Sequence, residues 1–355
     1  MKFSRKKKIV FALLAMGIVV TAGILVMLVA DLVLHHRAER SAGLNRWGYR
    51  GPVIGRKAPE ETRIAMLGGS TVFGYGVLWD ESIPALIGKR LTETHPEKKW
   101  STVNLGYNTE GAYAFSGNLH DFAYLDYDVV ILYEGYNDLS GDAGPNYVTV
   151  RQQSPVFRVT GYFPILPLWL REKSMMLSSG GDVNKAYEAN LDPSKKTVFR
   201  ASFAARASAS ALGAAAAMTS ALEHQLQGMA ARDSGVIGTR PATAGCPAPW
   251  SDYCESQRRA IQQVLDSGKK VLVVSQPQPS AELAKERHTA QQQALAEMVS
   301  RIFGSAPNVG YFAVGTRVNL SDANVCFDGM HLNADGNRIV ADSLIEPLMQ
   351  LVARK

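Results

Sequence analysis

Four short stretches hold the residues that could do chemistry. Gly68-Gly69-Ser70-Thr71 follows the apolar run Arg63–Leu67. Two glycines permit a tight strand-to-helix turn that leaves the Ser70 hydroxyl exposed near a helix N-terminus. A serine so placed is a candidate nucleophile once a base takes its proton. Such a base lies far along the chain, in Cys326-Phe327-Asp328-Gly329-Met330-His331-Leu332-Asn333. With Asp328 and His331 in one loop, the carboxylate can hold one imidazole nitrogen while the other takes a proton from a hydroxyl. Asp-x-x-His also occurs in metal ligation and helix capping. The other two stretches, Asn104-Leu105-Gly106-Tyr107-Asn108 and Glu134-Gly135-Tyr136-Asn137-Asp138, also close apolar runs. Read singly, Gly106 marks a turn and Asn137 a turn or a cap.

The elements that must position these residues are legible as alternation. Short apolar runs at 63–67, 102–105, 128–133, 270–275 and 309–314 read as strands, and 83–92, 281–303 and 334–352 read as helices. Strands alternating with helices predict an α/β unit with a mostly parallel sheet covered on both faces. Ligands of such sheets sit beyond the C-terminal ends of the strands, where the four stretches fall.

Taken together and in this order, Gly68-Gly69-Ser70, Gly106, Gly135-Tyr136-Asn137-Asp138 and Asp328-Gly329-Met330-His331 resemble the four blocks of the SGNH (GDSL-type) hydrolase family. The resemblance covers residues 62–138 and 270–349. It implies a three-layer, flavodoxin-like parallel sheet with strand order 2-1-3-4-5. It also implies a division of labour: Ser70 as nucleophile, His331 as general base and then acid, and Asp328 as the residue that orients the imidazole. The oxyanion hole would be the N–H groups of Ser70 and Gly106 and the side-chain amide of Asn137. No cofactor is implied, and no cluster with metal-ligand spacing is present in the sequence. One departure is plain: the family's Gly-Asp-Ser reads Gly-Gly-Ser here, which removes a carboxylate beside the nucleophile and alters the support of its loop.

The N-terminus sets the compartment. Lys2, Arg5, Lys6, Lys7 and Lys8 form a basic tail (residues 1–8), followed by the uncharged apolar run Ile9–Ala30. Roughly 20 apolar residues span a bilayer, whereas a secretory signal has an apolar region of about 7–15. Residues 9–30 therefore read as a transmembrane signal-anchor with its basic end in the cytoplasm. The chain after Asp31 is then extracytoplasmic, which is periplasmic in a Gram-negative cell. Residues 31–58 read as a juxtamembrane linker, with His35 and His36 solvated at headgroup level, and 59–355 as the hydrolase domain. The formal net charge is +6, and five of those charges lie in the basic tail. The remainder is nearly neutral, which argues against nucleic acid as a partner.

Residues 139–262 read as an insertion. Its part 154–170 is apolar and broken by prolines, a lid or acyl-binding wall in one reading, a loop packed on the core in another, and a bilayer contact in a third. Ala201–Leu222 favours helix, and 231–245 reads as a link. Cys246 and Cys254 suit a local disulfide, although pairing of either with Cys326 is also open. His95, His120, His224 and His288 read as surface residues. The function read from all this is a membrane-anchored extracytoplasmic ester hydrolase acting on an acylated small molecule, glycan or lipid, with a short acyl group on an envelope or exported glycan favoured. A long-chain lipid esterase, an acyl transferase to glycan hydroxyls and a non-catalytic envelope-binding module are the alternatives.

Overall fold

The computed structural model describes residues 4–41, 43–139, 146–178 and 245–354. The expectations for Ala201–Leu222, for nearly all of 231–245 and for His224 lie outside these residues. The chain opens with helix α1 (Arg5–Ser41) and then enters strand β1 (Glu61–Gly68). Next come α2 (Ser70–Phe73), α3 (Ile83–Thr94), β2 (Lys99–Asn104), α4 (Phe115–Asp121) and β3 (Val129–Tyr133). After β3 lie α5 (Pro155–Thr160), α6 (Leu166–Ser178) and α7 (Ser251–Asp266). The chain ends with β4 (Lys270–Ser275), α8 (Glu282–Phe303), β5 (Val309–Ala313) and α9 (Ala334–Ala353).

The five strands form one sheet, all parallel, in the order β2-β1-β3-β4-β5, as the resemblance implied. Alternation along each strand builds the two outer layers. Ala65, Leu67, Val130, Leu132, Val271 and Val273 face α4, α7 and α8. Ile64, Met66, Ile131, Leu272 and Val274 face α3 and α9. Helix α7 begins inside the segment read as an insertion, yet it belongs to the first of these layers. Its buried Tyr253, Cys254, Gln257, Ala260, Ile261 and Val264 recur at helical spacing. The described part of 139–262 also reaches inward, because Phe157 and Phe163 are buried in the same cluster.

Helix α1 is long and apolar enough to cross a membrane, with mean hydropathy 2.8 in its most apolar window. Residues 5–26 of this helix are exposed on every side. From Met27 onward one face docks on the domain, with Asp31 and His35 at its centre. Asp31 accepts hydrogen bonds from the N–H groups of Ile165 (2.9 Å) and Leu166 (2.5 Å), at the start of α6, and from the Tyr162 hydroxyl. His35 Nε2 bonds to the Phe163 carbonyl at 2.8 Å and is buried, so it is not solvated as the sequence suggested. A His in a run of helix carries no local mark of the partner it will meet more than a hundred residues later.

The stretch read as a linker is part of the domain as well. Arg50 is buried; its N–H bonds to Asn104 O, and its guanidinium donates to the carbonyls of Phe73, Gly74 (2.6 Å) and Val77 (2.5 Å). These are carbonyls at and just past the C-terminus of α2, where a cation opposes the helix dipole.

Candidate active site

Every candidate residue lies at the C-terminal edge of the sheet. Ser70 is the first residue of α2, immediately beyond β1. Gly68 is the last of β1, where a Cβ would collide with Tyr133 O and Val72, so the turn into α2 can be this tight only with glycine. The loop after β5 brings His331 to the serine: Ser70 Oγ lies 2.8 Å from His331 Nε2. His331 Nδ1 lies 2.7 Å from Asp328 Oδ2, and Asp328 Oδ1 accepts the N–H groups of Met330 (3.0 Å) and His331 (2.8 Å). The carboxylate therefore holds both the ring and the backbone of the histidine. Burial alone pushes the Asp328 carboxyl up, but the His331 and Met330 hydrogen bonds and the imidazole's charge outweigh it and hold it below the usual carboxylate value. Asp328 stays ionised, and the Nδ1 proton is thereby fixed towards it, leaving Nε2 to accept from Ser70.

The three expected oxyanion donors differ in their present engagement. No acceptor meets the Ser70 N–H among the described residues. The Asn137 amide donates to Glu110 O at 3.0 Å and also bonds to the Glu134 carboxylate, so an oxyanion must draw it from one of them. Gly106 N–H is already given to Asn104 Oδ1 at 3.0 Å, so an oxyanion there must share that hydrogen or displace the Asn104 carbonyl. The Asn104 amide in turn donates to Val72 O at 2.8 Å, tying the β2 loop to α2. A Cβ on Gly106 would lie 2.5 Å from Phe73 N, so the two loops approach too closely for any other residue.

Several neighbours carry no signature in the sequence. The Tyr75 ring lies 4.9 Å from the His331 ring, and Tyr75 and Phe327 are 54% and 56% exposed on the rim of the site. Behind it, Gln276 accepts from Tyr136 N–H (3.0 Å) and donates to Thr71 Oγ1 (2.9 Å), while Gln291 donates to Gly135 O (3.0 Å). Glu134, at the end of β3, is 1% exposed and receives the N–H groups of Gly69, Gly135 and Asn137. At position 69, a Cβ would collide with the Asn137 amide and come within 2.6 Å of Glu134 Oε2. Glycine is therefore the residue that fits at this position.

His288 differs from expectation: it is 1% exposed, packed 5.1 Å from the Tyr136 ring, with neither ring nitrogen hydrogen-bonded. Burial lowers its pKa to about 4. Its place in polar α8 suggested the surface, whereas the inward side of that helix carries it with Gln291 and Gln292. His120 is exposed and His95 partly so. Cys246 and Cys254 form a disulfide with Cα atoms 5.8 Å apart, and Cys326 is free and buried. Among the described residues no group of three or more His, Cys, Asp or Glu could hold a metal ion.

The fold and site together define an open parallel α/β sheet with a Ser-His-Asp array across its C-terminal edge. Solved structures similar to this chain include acetylxylan esterase Axe2 from Geobacillus stearothermophilus, studied as a catalytic mutant (11% identity, 83% of this chain and 95% of that one, TM-score 0.43). Others are LAE5, an alpha/beta hydrolase enzyme from the metagenome of Lake Arreo (10%, 82% and 96%, 0.42), and a protein of the G-D-S-L family from Desulfitobacterium hafniense (8%, 80% and 98%, 0.41). At such identities and scores the names describe those proteins, and the reading of this chain rests on its own site. No family model matches the sequence, and no curated protein matches it either.

Proposed function

We propose that this chain is an SGNH-type serine ester hydrolase that removes a short acyl group from an envelope or exported glycan while anchored by α1. The observation that carries the reading is the continuous array Ser70 Oγ–His331 Nε2–His331 Nδ1–Asp328 Oδ2, at 2.8 and 2.7 Å. In this reading the Ser70 oxygen attacks the ester carbonyl as its proton passes to His331 Nε2. The resulting oxyanion takes hydrogen bonds from the Ser70 N–H and the Asn137 amide as Glu110 or Glu134 yields it, with Gly106 contributing if Asn104 yields. His331 then gives the proton to the departing sugar oxygen, which leaves as a hydroxyl, and water repeats the sequence on the acyl-enzyme, returning a carboxylic acid and free Ser70.

Two features favour a short acyl group on a bulky alcohol. Tyr75 and Phe327, exposed among the described residues, offer flat aromatic surfaces of the kind on which sugar rings rest. Phe157 and Phe163, two of the four large rings in the 154–170 segment, are spent in the core and do not line an acyl tunnel. Membrane attachment is supported by the length and apolarity of α1, and its direction by the cations at residues 2–8.

The test is turnover of p-nitrophenyl esters from acetate to palmitate by the full-length protein in detergent micelles, beside Ser70→Ala. Activity confined to short chains and abolished by Ser70→Ala is expected. Rates that climb with chain length would overturn the acyl assignment, and activity surviving in Ser70→Ala would overturn the nucleophile.

A further inference from the structure

Glu134 is a buried carboxylate that the proposed mechanism does not use. It is 1% exposed, and among the described residues no cationic side chain pairs with it. Besides the Asn137 side-chain amide, its partners are backbone donors: Gly69 N–H to Oε2 at 2.5 Å, and Gly135 N–H (2.9 Å) and Asn137 N–H (3.0 Å) to Oε1. Gly69 immediately precedes the nucleophile, and Asn137 carries the side-chain amide of the oxyanion hole. One carboxyl group thus joins two loops that leave different strands and bear the two halves of the catalytic geometry.

We infer that Glu134 is a positioning residue, fixing the separation of Ser70 from the Asn137 amide in place of the side chain that position 69 cannot carry. The inference rests on the esterase reading. Retaining a buried charge without a cation is costly, and replacing such groups with neutral ones is often neutral or stabilising. Stability therefore does not explain the residue. Geometry does: three convergent N–H groups need an acceptor-only partner, and a carboxylate has the lone pairs for all three. Glutamine at the same place has one acceptor oxygen and an NH2 group, so it can serve Gly135 and Asn137 only by turning a donor towards Gly69. Burial pushes the Glu134 carboxyl up to about 7, with the three backbone N–H groups and the Asn137 side-chain amide working against that shift. The residue is thus costly to ionise, and the N–H groups of the loops that it joins favour its charged form.

The deciding comparison is wild type against Glu134→Gln, both full-length in detergent micelles. Expected is a kcat lower by about 10- to 100-fold, the usual scale of a lost charge-assisted hydrogen bond, with KM within about twofold and the thermal midpoint held or raised. In 15N-glycine-labelled protein, the Gly69 amide proton should be far downfield in wild type and lose that shift in the variant. A kcat within twofold of wild type, or a kcat loss matched by loss of folded protein, would overturn the inference. So would a Gly69 resonance that does not move. If wild type shows no Ser70-dependent turnover the esterase reading falls, and the Gly69 resonance alone still decides whether Glu134 ties the loops. Gly69→Ala supplies a second variant: it keeps the charge but forces Glu134 and the Asn137 amide apart, and the same kcat loss at constant KM is expected. Wild-type kcat in that variant would count against the role.

Discussion

Replacing Arg151 with methionine probes how the segment after β3 is fastened to the catalytic loops. Arg151 is fully buried. It donates to Gly48 O (3.1 Å), Leu105 O (2.8 Å) and Glu110 Oε2 (2.8 Å), and it lies 5.2 and 5.1 Å from the Tyr107 and Phe122 ring centres. Glu110 also accepts from Asn118 Nδ2 and Val150 N–H, both at 3.0 Å, and its own carbonyl holds the Asn137 amide. Methionine fills much of the same volume, so the cavity contribution is small. What remains is a buried Glu110 charge without its cation, and one-sided breakage of such a pair costs about 3–5 kcal/mol. At about 2–4 °C per kcal/mol for a domain of this size, the thermal midpoint should fall by roughly 6–20 °C. Adding Glu110→Gln removes the stranded charge while keeping an acceptor, so the double variant should recover about 2 kcal/mol or more relative to Arg151→Met. The assay is urea unfolding of the four proteins in the cycle. Additivity within about 0.5 kcal/mol would refute the reasoning, because independent sites add to that precision.

Two further outcomes follow from the geometry. Asn137→Ala should lower kcat by about 100- to 1000-fold with KM little changed, the effect of losing one oxyanion donor; an unchanged kcat in steady-state assays would remove the residue from the transition state. His288 has its folded pKa depressed to about 4 by burial, from the usual 6.5, so the unfolded chain takes its proton first as the pH falls. Its contribution is therefore fully present above pH 6.5 and is lost on going down towards pH 4, by at most about 3 kcal/mol. His288→Leu should flatten stability against pH across that window, and parallel curves for variant and wild type would refute the assignment.

The elements and the candidate triad were legible because their signals are local. All five strands stand where short apolar runs end in glycine or polar residues, and Asp328 and His331 sit close enough in sequence to meet in one loop. Glu134 was visible as a letter beside Asn137, but its partner Gly69 belongs to another strand's loop, and nothing near either residue announces the match. The Gly69 departure, read as a loss of support, becomes intelligible only with Glu134 opposite it. Arg151 and His35 are of the same kind: each is a polar residue whose burial is licensed by carbonyls distant in sequence. Helix α7 was a different matter. Its Tyr253, Cys254, Gln257, Ala260, Ile261 and Val264 recur at helical spacing, but such spacing does not by itself tell a layer of the core from a helix within an insertion.

The seating of α1 on the domain has a consequence for how substrate is met. A long flexible tether would let the site sweep a volume above the bilayer, with a local concentration set by tether length. Here Asp31 and His35 grip residues 162–166, and Phe163 touches the Tyr107 ring at 5.9 Å, which in turn meets Phe73 at 6.1 Å, next to the loops that bear Ser70 and Gly106. Only a few packed side chains separate the anchor from the nucleophile. With α1 in a bilayer, the active site rides at one fixed altitude and one orientation, and its search is a lateral glide in two dimensions. Under the proposed function, only acylated polymer passing the membrane surface at that height would be met, and material that has drifted outward would be beyond reach.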